Sequence, residues 1–275
     1  MNSQTADNDS DPITTLKLQP EDDDPDCQPQ EDEEKPLPQQ EVESQQHYYI
    51  TSIHSTVIIR QLPSQGLSFQ LWPAAATLVT LLDRHRCDPS NGTTPLSPTL
   101  SAFSSTSGES CRQIRILELG SGTGLVGIAA AAILNASVMV TDLPHVLPNL
   151  RYNAGANADV VAVNGGSIDV APLRWGENDD MEAVGRDYDL ILGTDVVYYN
   201  HLYDPLLETL RFLLIGSGKK TVFLMAHLKR WKKESAFFKK AKKLFDVEII
   251  HRDDPYNGSR VGVVVYRFVG KVVRK

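Results

Sequence analysis

The stretch that bears chemistry is residues 114–127, IRILELGSGTGLVG. Gly120, Gly122 and Gly124 stand at alternate positions after an apolar run and before a run of small apolar residues. Glycines let a chain turn sharply and bring its backbone against a ligand with no Cβ between. The N–H groups that open the next helix then face a polar or anionic group. Glu118, two residues ahead of the first glycine, adds a carboxylate. A second acid, Asp142, closes the next apolar run. A third, Asp195, lies in GTDVVYY beside Thr194, Tyr198 and Tyr199. A carboxylate among aromatic rings can hold a cation, orient an amine or help move its proton. Each acid also has a plain structural use, as a helix cap or within a packed turn.

Two frames compete for the glycines. Residues 122–127 satisfy G-x-G-x-x-G, a dinucleotide fingerprint. In that motif, however, the first glycine comes directly off the strand. Here the strand ends at Leu119 and the first glycine off it is Gly120, so the match is displaced by two residues. In the frame set by the strand, the motif is an acid followed two residues later by G-x-G-x-G, the form typical of S-adenosylmethionine enzymes. Glu118 suits a ligand bearing an ammonium group better than one bearing a pyrophosphate. Asp142, eighteen residues beyond Gly124, is placed to accept hydrogen bonds from ribose hydroxyls, a feature both cofactors share.

The elements that must position these residues alternate along the chain. β-branched and aromatic residues over 47–62 predict one or two strands, and Pro73 opens a helix over 74–82. Strands are predicted at 114–119, 138–141, 159–163, 189–192 and 221–225, and helices at 125–132, 144–156, 203–214 and 231–244. Two strands, 247–250 and 261–268, close the chain, joined by the turn-rich Asp253–Gly258 segment. The expectation is an α/β fold: a Rossmann-like doubly wound seven-stranded sheet with an antiparallel last strand, preceded by N-terminal strands and a helix.

Composition bounds the rest. Residues 1–44 hold 14 acidic residues against two lysines and few large apolar ones, which predicts a disordered acidic tail. Residues 45–275 then form the folded domain. It carries a Ser/Thr/Pro-rich insertion at about 87–111 that is expected to be flexible. Three cysteines without metal-ligand spacing argue against a disulfide framework or a metal site. With no signal segment and no long apolar run, the reading is a cytoplasmic protein without a membrane span. His227 reads as a satisfied loop histidine, and the lysine-rich 231–244 helix as a solvated basic face.

The ordered set of motifs resembles the seven-β-strand protein lysine methyltransferases of family 16, the methyltransferase-like group with a D-x-x-Y motif. It is similar to the branch that acts on the valosin-containing-protein chaperone. The carriers are LWPAA at 71–75, LELGSGTGLVG at 117–127, TDLP at 141–144, Asn149-Leu150 with Asn153 and Asn157, LRWG at 173–176 and LGTDVVYY at 192–199. The resemblance implies that S-adenosylmethionine is held by Trp72, Gly120, Ser121, Gly122, Asp142, Trp175 and Thr194, and that Asp195 and Tyr198 shape the acceptor site. It implies methyl transfer to a lysine amine of a protein, of chaperone or other ATPase type, by a monomer that does not act on nucleic acid. Alternatives are another nucleophile (a small amine, histidine or base) or an inactive cofactor-binding module.

Overall fold

The computed structural model describes residues 43–88, 94–104, 112–215, 220–255 and 261–271. The acidic segment up to residue 42, and residues 89–93 and 105–111 of the 87–111 insertion, lie outside the described residues. The chain opens with a hairpin of β1 (Ser44–Ile50) and β2 (Ser55–Gln61), followed by α1 (Pro73–Cys87). Inside the insertion, Ser97–Ser104 form a helix, α2, where the sequence predicts none. Leu96 and Leu100 explain it, because both are buried against the main core.

The sheet is built from β3 (Arg115–Leu119), α3 (Leu125–Leu134), β4 (Ser137–Asp142), α4 (Leu147–Ala156), α5 (Ala158–Val163), β5 (Ser167–Pro172), α6 (Asn178–Val184), β6 (Leu190–Thr194), α7 (Tyr203–Leu214), β7 (Val222–His227), α8 (Ser235–Leu244), β8 (Phe245–Arg252) and β9 (Val264–Gly270). Its order is β5-β4-β3-β6-β7-β9-β8. β9 inserts antiparallel between β7 and β8, and the β3–β7 pairings are parallel. The order reverses between β3 and β6, the switch point at which open α/β sheets bind ligands. One core layer holds α1, α3 and the β2 residues Val57 and Ile59. The other holds α6, α7 and α8. The seven-stranded, doubly wound expectation therefore holds.

One strand is displaced. Residues 159–163, expected as a strand, are helical, and the third strand of the sheet is β5. The Val-rich run favours a strand locally, but Gly165 and Gly166 end a helix instead. Gly165 N–H donates to Ala162 O, Gly166 N–H donates to Val161 O, and Gly165 takes φ +79°. That paired bonding with a left-handed glycine is a helix stop. The helix expected over 231–244 likewise begins later, with a short 3-10 turn at Lys232–Glu234 ahead of α8.

The hairpin is fastened by three asparagines one turn apart. Asn157 accepts from Ile58 N–H and donates to Ile58 O, both at 2.8 Å. Asn153 treats Arg60 the same way, at 2.9 and 3.1 Å, and also donates to Thr123 O in the glycine turn at 2.9 Å. Asn149 accepts from the Arg60 guanidinium at 2.9 Å. The amides give β2 the pairing its open edge lacks. They also tie the N-terminal hairpin to the loop that carries the glycines. Among the described residues no helix is long and apolar enough to cross a membrane.

Candidate functional site

The glycine turn sits at the carboxyl end of β3. Gly120, Gly122 and Gly124 take φ of +58°, +55° and +85°, which side-chain-bearing residues rarely adopt. A Cβ on Gly120 would lie 3.0 Å from the Trp175 ring and 3.2 Å from Val196, so the indole lies across the bare backbone. Ser121 turns inward: its hydroxyl accepts Thr141 N–H at 3.0 Å, and its own N–H donates to Thr141 O. Glu118 is 1% exposed, and its Oε2 accepts the Gly127 N–H at 3.0 Å. The carboxyl therefore lies under the first turn of α3. Burial pushes it up to about 8, against the pull of Ser121 and the Gly127 N–H, so it is mostly protonated at neutral pH.

Asp142 ends β4 facing the same turn. Its Oδ2 accepts Gly122 N–H and its Oδ1 accepts Leu143 N–H, both at 2.7 Å. The carboxylate thus holds the turn in shape and retains lone pairs for a ligand. Burial raises its pKa, with the two N–H bonds working the other way. Tyr198, half-buried beyond β6, has its phenol pushed up to about 12, first by burial and then by the charge of Asp142. Its ring centroid is 4.8 Å from that of Tyr199, which is exposed. Thr194 ends β6, paired with Ala226 of β7.

Asp195 looks the other way, toward β7. It is left-handed at φ +52°, a strained position for a residue with a Cβ. Its side chain is 6% exposed. Oδ1 accepts Leu228 N–H at 2.9 Å, and Oδ2 receives the Arg230 guanidinium at 3.0 Å. That guanidinium also donates to Leu228 O at 3.2 Å and lies 4.9 Å from the centre of the Trp72 ring. His227 Nδ1 is 3.5 Å from Asp195 Oδ1, and its Nε2 is 3.0 Å from Glu234 Oε2. Burial lowers the imidazole's proton affinity, but the two flanking carboxylates outweigh it and its pKa is raised. Burial likewise works to neutralise Asp195, yet His227 and Arg230 prevail and hold it below the usual carboxylate range.

The sequence-predicted residues therefore fall into two groups at one sheet edge. Gly120, Ser121, Gly122, Asp142, Trp175 and Tyr198 surround the glycine turn. Asp195 and Trp72 meet through Arg230 on a separate rim. The profile described as lysine methyltransferase matches residues 52–244, which spans both groups. The chain belongs to the lysine methyltransferase family. Within it, protein N-lysine methyltransferase METTL21A of Danio rerio is 38% identical over 155 residues, 56% of this chain and 66% of that one. The mouse EEF1A lysine methyltransferase 3 is 35% identical over 144 residues, 52% of this chain and 58% of that one. The chain spans about half to two thirds of the length of the curated relatives it matches. The Thermus thermophilus 16S rRNA N2 G1207 methyltransferase shares the fold at a TM-score of 0.50 and 17% identity, covering 88% of this chain and 53% of that one.

Within this chain, sequence reasoning passes over Arg230 and Glu234 and treats His227 as a loop residue. Glu234 is fully buried, pairs with His227, and receives Arg230 N–H and Trp231 N–H at 3.2–3.3 Å. It stands four residues after Arg230 and seven after His227, so the spacing around the 3-10 turn was the available signal.

Proposed function

We propose that this chain transfers methyl groups from S-adenosylmethionine to the side-chain amine of lysine in a protein. The observation that carries the reading is the slot between Asp195 and Trp72, which already accommodates a side-chain cation, Arg230. A carboxylate facing an aromatic ring is a recognition set for a long-chain cation. It stands at the sheet edge beside the glycine turn. Family membership and two relatives named as protein lysine methyltransferases support the same chemistry.

The residues at the turn fit the cofactor. The bare backbone of Gly120 and Gly122, the Asp142 carboxylate and the Trp175 ring offer contacts for its amino-acid, ribose and adenine portions respectively. Thr194 and Trp72 border the same edge. When bound, the cofactor supplies a sulfonium-activated methyl group. Glu118, buried and mostly protonated, supports the turn from below and leaves the cofactor's ammonium to other contacts. The acceptor ammonium, with a pKa near 10.4, must lose a proton before it can attack. Asp195 orients the amine and assists proton release to water. Tyr198 and Tyr199 wall the approach, keep it partly dry, and lower the amine's proton affinity.

The same reading takes the acceptor to be a chaperone or other ATPase and the enzyme to be a cytoplasmic monomer. The test is incubation of the protein with labelled S-adenosylmethionine and cell extract, followed by acid hydrolysis of the products. Methyl-lysine in a discrete protein band is expected. Label in RNA, in histidine, or nowhere despite measurable cofactor binding overturns the reading.

A further inference from the structure

We infer that Arg230 occupies the acceptor's own place, and that a lysine side chain enters the site only by displacing it. The inference rests on the lysine-methylation reading above and names what controls access to that site. The Arg230 guanidinium is bound by three partners: Asp195 Oδ2 at 3.0 Å, Leu228 O at 3.2 Å and the Trp72 ring at 4.9 Å. A carboxylate, a carbonyl and an aromatic face are the partners an ammonium would seek. The Arg230 side chain is 15% exposed and the Asp195 side chain 6%, so the guanidinium covers the acid. Two cations cannot share so small and sheltered a slot, because like charges at contact repel strongly where water is excluded.

The local build lets Arg230 leave without dismantling the loop. Its backbone N–H is held by Glu234, as is that of Trp231, while Leu228 N–H is held by Asp195 Oδ1. Only the flexible side chain needs to swing. Asp195 is not left bare when it does. His227 Nδ1 lies 3.5 Å from Asp195 Oδ1 without a formed hydrogen bond and can close that distance. The charged and titratable groups packed on the acid are therefore Arg230 and His227, with Glu234 behind the imidazole.

An internal competitor lowers the apparent affinity of every acceptor by the fraction of time it holds the slot. A lysine on a protein gains contacts outside the slot and can meet that cost. A free amine cannot. Arg230 thus sets the preference for protein-borne lysine over small amines.

The experiment compares wild type with Arg230→Met, which keeps the stem and removes the charge, and monitors folding by circular dichroism. n-Butylammonium chloride, the acceptor side chain alone, is titrated without cofactor and followed by calorimetry. Arg230→Met is expected to bind it about tenfold more tightly than wild type, and to methylate n-butylamine from labelled S-adenosylmethionine correspondingly faster. Equal binding by the two proteins, with kcat on protein substrates reduced in the variant, overturns the inference and leaves Arg230 as a support for Asp195. Tighter n-butylammonium binding with no methyl transfer by either protein overturns the methylation reading instead and leaves the slot standing. Arg230→Lys provides an independent check that retains a cation. Exposed to S-adenosylmethionine, it is expected to gain methyl mass at residue 230, and an unmodified residue 230 after full cofactor exposure counts against the inference.

Discussion

Glu118 and Asp195 are both buried acids at the carboxyl edge of the same sheet, yet they lie in opposite protonation states. Glu118 has only neutral donors around it, the Gly127 N–H and the Ser121 hydroxyl, and burial pushes it up to about 8. Asp195 has a guanidinium and an imidazole, and is held below the ordinary range despite its burial. Depth is therefore not what decides charge here; a cation within reach is. The consequence is a division of labour. Glu118 itself is a nearly uncharged support beneath the turn, and the rim around Asp195 keeps a negative charge facing the side-chain cation of Arg230.

The largest expected effect breaks the rim. His227→Leu leaves Asp195 and Glu234 without the imidazole between them, and should cost about 3–5 kcal/mol of stability in denaturant unfolding. A loss below about 1 kcal/mol would mean that the imidazole does not hold this cluster together. Next is the turn. A Cβ on Gly127 would lie 2.3 Å from Val140 Cγ1 and 2.6 Å from Glu118 Oε2, so Gly127→Ala should overpack the helix-sheet contact by about 1–3 kcal/mol. An unchanged unfolding midpoint would show that α3 can lift from the sheet.

The smallest effect at neutral pH sharpens the contrast between the two acids. Glu118 binds its proton more tightly when folded than when unfolded. Its contribution to stability is therefore complete below about 4.5 and is lost as pH rises through about 8. Asp195 runs oppositely: its contribution is present above its unfolded value and is lost as pH falls through its lowered folded value. Glu118→Gln keeps an acceptor for Gly127 and should remove the first slope, so its stability advantage over wild type grows between pH 5 and pH 8. Parallel curves for the two proteins would show that Glu118 is not neutral at pH 7.

The turn was legible in the sequence because its parts are local. Glu118 to Gly127 is one short stretch, and Asp142 follows on the next strand. The fold was legible for the same reason, except where Val160, Val161 and Val163 suggested a strand that Gly165-Gly166 converts into a helix end. The rim was not legible. Arg230 reaches Asp195 across 35 positions, and Trp72 comes from the far side of the insertion. No spacing rule joins residues that meet only after the sheet is assembled. Ser121 was legible as part of the motif, but the direction of its hydroxyl, inward to Thr141, depends on the pairing of β3 with β4.

The central claim is that, at one sheet edge, the glycine turn holds the methyl donor while the rim around Asp195 handles the acceptor. Asp142→Asn and Asp195→Asn test it most directly when S-adenosylmethionine affinity, by calorimetry, and methyl transfer to protein, by label, are measured on both. Asp142→Asn is expected to weaken cofactor binding. Asp195→Asn is expected to bind cofactor as wild type does and to lose transfer by about a hundredfold or more. Loss of cofactor affinity in Asp195→Asn, or full transfer by it, contradicts the account.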